Sequence, residues 1–128
     1  MATGFPATTG DIFTAAAYNG LVSYSVRNNT TDQTAVLNDQ YQVLEVMNKA
    51  TAISYNLPTN ASVAFPIGTV ITVLNVGDGT CTIKAVTSGT TGVFSAGAVP
   101  AQPTLGKYKS AACIKTDTDL WVIVGAVA

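Results

Sequence analysis

Two textures divide the chain. Residues 1–40 are polar and irregular, whereas residues 41–128 carry short runs of β-branched and aliphatic residues punctuated by Gly, Pro, Asn and Asp. In the second part Ala52–Leu57 alternates cleanly, with Ile53, Tyr55 and Leu57 on one face, and stops at Pro58. Tyr41–Val46 alternates less regularly and still reads as a strand. Thr69–Val76 is the strongest strand signal. Gly77-Asp78-Gly79 then turns the chain, and Thr80–Val86 returns, which predicts a hairpin with a short Gly-containing loop. Residues 88–103 are rich in Gly, Ala and Pro and read as a loop with one short strand at Gly92–Phe94. Ala111–Lys115 and Leu120–Val124, joined by Asp117-Thr118-Asp119, predict a final hairpin that Gly125 ends. Strands at this spacing, with no βαβ alternation, predict a mainly β domain over 41–128. Its expected form is an antiparallel β-sandwich or a barrel of hairpins.

The first part is expected to be an N-terminal arm over 1–40, with a short helix and a loop. Thr14 caps a helix beginning at Ala15, and Phe13, Ala17 and Leu21 share one face at four-residue spacing. Ser23–Val26 either continues the helix or begins an extended stretch. Asn28–Asp32 reads as a turn-rich loop.

Composition narrows the chemistry. At 128 residues the chain has room for one domain with a sizeable core. Only 10% of residues are charged, and the net charge is -1, so nothing favours nucleic acid or an anionic membrane as a partner. Histidine is absent, which removes Ser-His, Cys-His and His-metal arrangements together. A weakly charged surface is poorly defended against self-association and is often covered by a permanent partner. No cationic start precedes an apolar run, and the longest apolar run, Leu120–Val124, is far too short to span a membrane. Synthesis and folding in a cytosol are therefore expected. Cys81 and Cys113 form no CxxC pair and read as small buried hydrophobes, with a disulfide open if their strands are neighbours.

Three groups of residues resemble a β-rich module of tailed-bacteriophage virion proteins. They are Ile53-Ser54-Tyr55-Asn56-Leu57-Pro58; Phe65-Pro66-Ile67-Gly68-Thr69 leading to Gly77-Asp78-Gly79; and the terminal pair closing on Trp121-Val122-Ile123-Val124-Gly125. Gly10–Asn19 is similar to the opening segment of such proteins. The resemblance covers most of the chain, with a gap near residues 25–40. Neither a repetitive shaft nor a large receptor-binding tip is present, which favours capsid decoration over a tail fibre. The resemblance implies a virion protein assembled in the host cytoplasm, forming a homotrimer and binding the major capsid protein. It implies no enzymatic activity, no cofactor and no metal. A short tail-fibre, spike or baseplate component contacting a host glycan is the alternative, and a bacterial carbohydrate-binding module is a third.

Individual residues sharpen these expectations. Phe5, Phe13, Tyr18 and Leu21 are apolar anchors in a polar, broken stretch, suited to docking on capsid or on a neighbouring subunit. The competing reading packs them over their own sheet. Asp11, Asp32, Asp39 and Glu45 are the candidates for an acid–base pair. Asp117 and Asp119 are half of a calcium loop at most and read better as a hairpin turn, as Asp78 does. Trp121 and Tyr55 are expected in the core, with a sugar-binding face as the other use of the aromatic residues. Tyr108, between two lysines, is expected at the surface.

Overall fold

The computed structural model describes Ala15, which is helical, and residues 24–128. The strands are β1 (Ser25–Asn29), β2 (Gln33–Thr34), β3 (Val43–Met47), β4 (Ile53–Leu57), β5 (Val70–Asn75), β6 (Cys81–Ala85), β7 (Gly92–Ser95), β8 (Thr104–Leu105), β9 (Lys109–Asp117) and β10 (Leu120–Gly125). They form a six-stranded sheet in the order β1-β3-β5-β9-β10-β7 and a four-stranded sheet in the order β2-β4-β6-β8. The fold is a mainly β, two-sheet sandwich, as the hydrophobic pattern predicts.

Strand direction departs from the expectation of hairpins. β1, β3 and β5 run parallel in the larger sheet, and β2, β4 and β6 run parallel in the smaller one. From β1 to β6 the chain crosses from one sheet to the other after each strand, winding three flattened coils. The last coil is met by antiparallel strands: β9 pairs with β5, β10 with β9, and β8 with β6. β7 then adds parallel to β10 at the edge. The β9–β10 hairpin is the one the turn residues predicted.

The predicted β5–β6 hairpin is corrected. β5 and β6 lie in different sheets, and Gly77-Asp78-Gly79 is an arch between them. Its glycines serve close stacking. A Cβ on Gly77 would meet the backbone of Lys49, and one on Gly79 would collide with the carbonyl of Thr51, in the arch one coil below. The Gly79 N–H donates to the Lys49 carbonyl (2.9 Å), and the Val76 N–H to that of Met47 (2.9 Å). Asn75, fully buried, secures this arch from inside. Its Nδ2 donates to the carbonyls of Gly79 and Leu105 (2.9 Å each), and its Oδ1 accepts from the Gly77 N–H at 3.0 Å. These bonds satisfy polar groups that the interior would otherwise leave costly.

The boundary at residue 41 is corrected as well. β1 and β2 belong to the two sheets, so the β body begins at Ser25. Residues 37–40 form a single 3-10 turn between β2 and β3.

The core lies between the sheets. Met47, Ile53, Tyr55, Leu57, Ile71, Val73, Ile83, Leu105, Trp121 and Ile123 are all at most 2% exposed. Trp121 meets Phe65 edge to face, with ring centroids 5.6 Å apart. Cys81 and Cys113 are buried free thiols. Burial pushes the Cys81 thiol up to about 12 and raises that of Cys113 further, so both stay protonated and act as packing groups.

Candidate functional site

A polar cluster occupies the first coil. Arg27 on β1 faces Glu45 on β3 across a parallel ladder, because both sit at inward positions of the register. Its Nη1 donates to both carboxylate oxygens of Asp39 (3.3 and 3.2 Å) and to Glu45 Oε2 (3.4 Å), and its Nη2 donates to Gln33 Oε1 at 2.6 Å. Tyr55 Oη donates to Asp39 Oδ2 at 2.8 Å, as does the Val36 N–H at 3.0 Å. Asn29 Nδ2 donates to Glu45 Oε1 at 3.3 Å. The Arg27 side chain is 30% exposed, but Asp39 and Glu45 are 2% and 0% exposed.

Burial is the main cause that raises the Glu45 carboxyl to about 7, with the nearby Asp39 charge adding to it; Asn29 and Arg27 pull it down. Burial beside these carboxylates also raises the Tyr55 phenol, which therefore stays a donor. Of the acid–base candidates, the structure thus brings Asp39 and Glu45 together. Both carboxylates are buried, and the half-buried Arg27 side chain lies between them and the solvent. Asp32 lies elsewhere, accepting the Ser54 N–H at 2.9 Å, and Asp11 lies outside the described residues.

A second polar group ties the opposite loops to the β9–β10 hairpin. Lys115, 2% exposed, points inward and donates to Asn60 Oδ1 and to the Phe65 carbonyl, both at 2.7 Å. Burial lowers its pKa, and the Asp119 charge partly opposes that. Asp119 Oδ1 accepts from the Asn60 N–H (2.7 Å) and from Thr91 Oγ1 (3.3 Å). Asp117 accepts the Thr118 N–H. Both aspartates therefore serve the hairpin and its neighbouring loops. Among the described residues, no cluster of three or more potential metal ligands forms. Asp78 is exposed and pairs with Lys107 at 2.8 Å. Lys107 also lies over the ring of Tyr108, which is 73% exposed, as expected.

The feature that sequence reasoning missed is the outer face of the larger sheet. The register lines up its outward side chains in three rows: Asn28, Val46, Leu74 and Ser110; Val26, Leu44, Thr72, Ala112 and Val124; and Val70, Ile114, Val122 and Phe94. None of them is charged; Val46 among them is already covered, at 8% exposed. Val26 and Phe94 are each 56% exposed, Val70 50% and Val124 46%. The signal was present in β5, where Val70, Thr72 and Leu74 interleave with the buried Ile71 and Val73: a half-exposed strand should alternate apolar with polar, and this one does not.

A shallow groove of about 230 Å³ lies beside this face, lined by Lys84, Ser88, Thr91, Phe94 and Gln102 among others. The anchor residues Phe5, Phe13, Tyr18 and Leu21 lie outside the described residues. No family model, no curated protein and no solved structure matches the chain.

Proposed function

We propose that this chain is a structural protein of a tailed-bacteriophage virion, one that decorates the outside of the capsid and bridges neighbouring subunits as a homotrimer. The observation that carries this reading is the uncharged, largely apolar outer face of the six-stranded sheet. Continuous faces of this kind mark surfaces that another macromolecule covers. The coiled, internally stapled body beneath it suits a part that is built once and then bears load. The phage assignment rests on the motifs in 53–58, 65–79 and 112–125. Bridging adds binding free energy to the shell by mass action, and a trimer fits the three-fold positions of an icosahedral lattice. In this reading Phe5, Phe13, Tyr18 and Leu21 anchor each copy to the capsid or to its neighbour.

The test is the number of copies per virion, measured by quantitative mass spectrometry against the major capsid protein of the phage that encodes the chain. A ratio near one, or a simple fraction such as one third, is expected. A ratio of a few per cent places the chain in the tail or at a unique vertex, and its absence overturns the phage reading.

The groove supports a second reading, a tail-fibre, spike or baseplate component that contacts glycan. The exposed Phe94 ring beside the Ser88 hydroxyl, the Gln102 amide and the Lys84 ammonium is a composition that stacks on a sugar and bonds its hydroxyls. Chemical-shift changes at Phe94 and Gln102 on addition of host surface polysaccharide would support it.

A further inference from the structure

We infer that the outer face of the six-stranded sheet is the receptor for residues 1–23 of a neighbouring copy of this chain. The inference rests on the decoration reading and names the partner surface within it.

The face needs a cover. Its three rows run across the sheet from β1 to β7 without a charged side chain, and Val26, Val70, Phe94 and Val124 stand about half exposed along them. Six strands at ~4.8 Å spacing make the face ~24 Å wide. With strands of five or six residues, its footprint is on the order of 400 Å², about half of what each partner of a standard face-to-face complex buries. A docked segment therefore fits this surface better than a second sheet.

The chain supplies such a segment. Residues 1–23 hold Phe5, Phe13, Tyr18 and Leu21, and Phe13, Ala17 and Leu21 fall at the four-residue spacing of one helical face. Ala15 is helical. An amphipathic helix laid on an apolar sheet face is a standard layer pairing. The segment carries a single charged residue, Asp11, so nothing in it repels an uncharged surface.

The point of attachment favours exchange between copies. The segment joins the body at Tyr24, at the start of β1, which is the outermost strand of the sheet. The chain therefore arrives at the rim of its own face rather than above it. At ~3.3 Å per residue the segment extends up to ~76 Å, about three times the width of the face, which is ample to reach the next copy. Exchange of identical segments between protomers is a low-cost route to a closed oligomer.

The test uses two full-length variants, Ala17→Cys and Val122→Cys, each melting within a few degrees of the parent. Cys81 and Cys113 are buried and unreactive, so the new thiols report alone. Mixing the two under mild oxidation should give a covalent dimer at least ten times more abundant than either variant gives by itself. Lys84→Cys, placed on the other sheet, should give none when mixed with Ala17→Cys. Val122→Lys in the full chain should lower the mass measured by light scattering from oligomer to monomer. No dimer in the mixture overturns the inference. So does a link that forms only within one chain carrying both cysteines, because it places the segment on its own face. Failure of the decoration reading is seen separately, in the copy number per virion.

Discussion

The two ends of the coil stack are held by opposite means. At the first coil the space between the sheets is filled by Arg27, Asn29, Asp39 and Glu45, and cohesion comes from charge-assisted hydrogen bonds. Beneath β9 and β10 it is filled mainly by Ile71, Val73, Cys113, Trp121 and Ile123, with the Lys115 ammonium held among them by Asn60 and the Phe65 carbonyl, and most of the cohesion comes from apolar burial. Both ends are fully satisfied: among the described residues, no buried side-chain polar atom lacks a partner. They should fail differently. A mainly apolar end loses stability chiefly through cavities. A polar end loses it through unpaired charge, and therefore as a function of pH.

The largest effect is expected from Trp121→Ala, which removes the ring packed on Phe65 and should cost about 3–5 kcal/mol, with little pH dependence between 5 and 8. Denaturant unfolding at several pH values would check both halves of this statement. Arg27→Ala removes the cation shared by Asp39 and Glu45. Breaking a buried ion pair costs about 3–5 kcal/mol, and partial exposure of Arg27 lowers the expectation to about 2 kcal/mol. The loss should grow as pH rises through 7, where Glu45 ionises.

Glu45→Gln sharpens the contrast. The folded-state pKa of Glu45, about 7, lies above the ordinary value of 4.5. The native state thus binds a proton that the unfolded state releases, and stability falls as pH rises from about 4.5 to 7. Parent and variant melting curves from pH 4 to 8 should show that slope in the parent and its absence in Glu45→Gln. Lys107→Ala, which breaks the exposed pair with Asp78, should leave the melting temperature close to that of the parent. A marked drop would show that the arch depends on this contact.

The same contrast governs what could be read from the sequence. The apolar end announced itself: the strands β4, β5, β6, β9 and β10 fall within a residue or two of their predicted places, and Trp121 and Tyr55 are buried as expected. The polar end did not. Ser25–Asn29 carries its inward positions as Arg27 and Asn29, so a pattern that equates burial with apolarity leaves Ser25 and Val26 open between helix and extended chain and puts Asn28 and Asn29 in a loop. Their partners, Asp39 and Glu45, come from a 3-10 turn and a different strand, and no local spacing links them. Strand direction was hidden for a related reason. Gly-Asp-Gly serves a tight hairpin and a stacked arch equally well, and what decides is the backbone of Lys49 and Thr51, which arrives from another coil. The outer face was legible in β5 alone. Its extent depends on a register that brings β1 and β7 into the same rows.

The winding of the coils also sets the order of assembly. β9 and β10 are joined by a short turn, so their pairing closes a small loop and forms on a microsecond scale. Each parallel ladder instead joins strands one full coil apart, as Leu44 with Thr72 and Ile53 with Cys81. Long-range parallel pairing must meet its loop-closure entropy before any contact compensates it. The terminal hairpin is thus the element available first, with β5 able to dock on it and the earlier coils to wind on in turn. During ribosomal synthesis that element emerges after the coils it completes, so the free edge of β5 stays uncovered until β9 arrives.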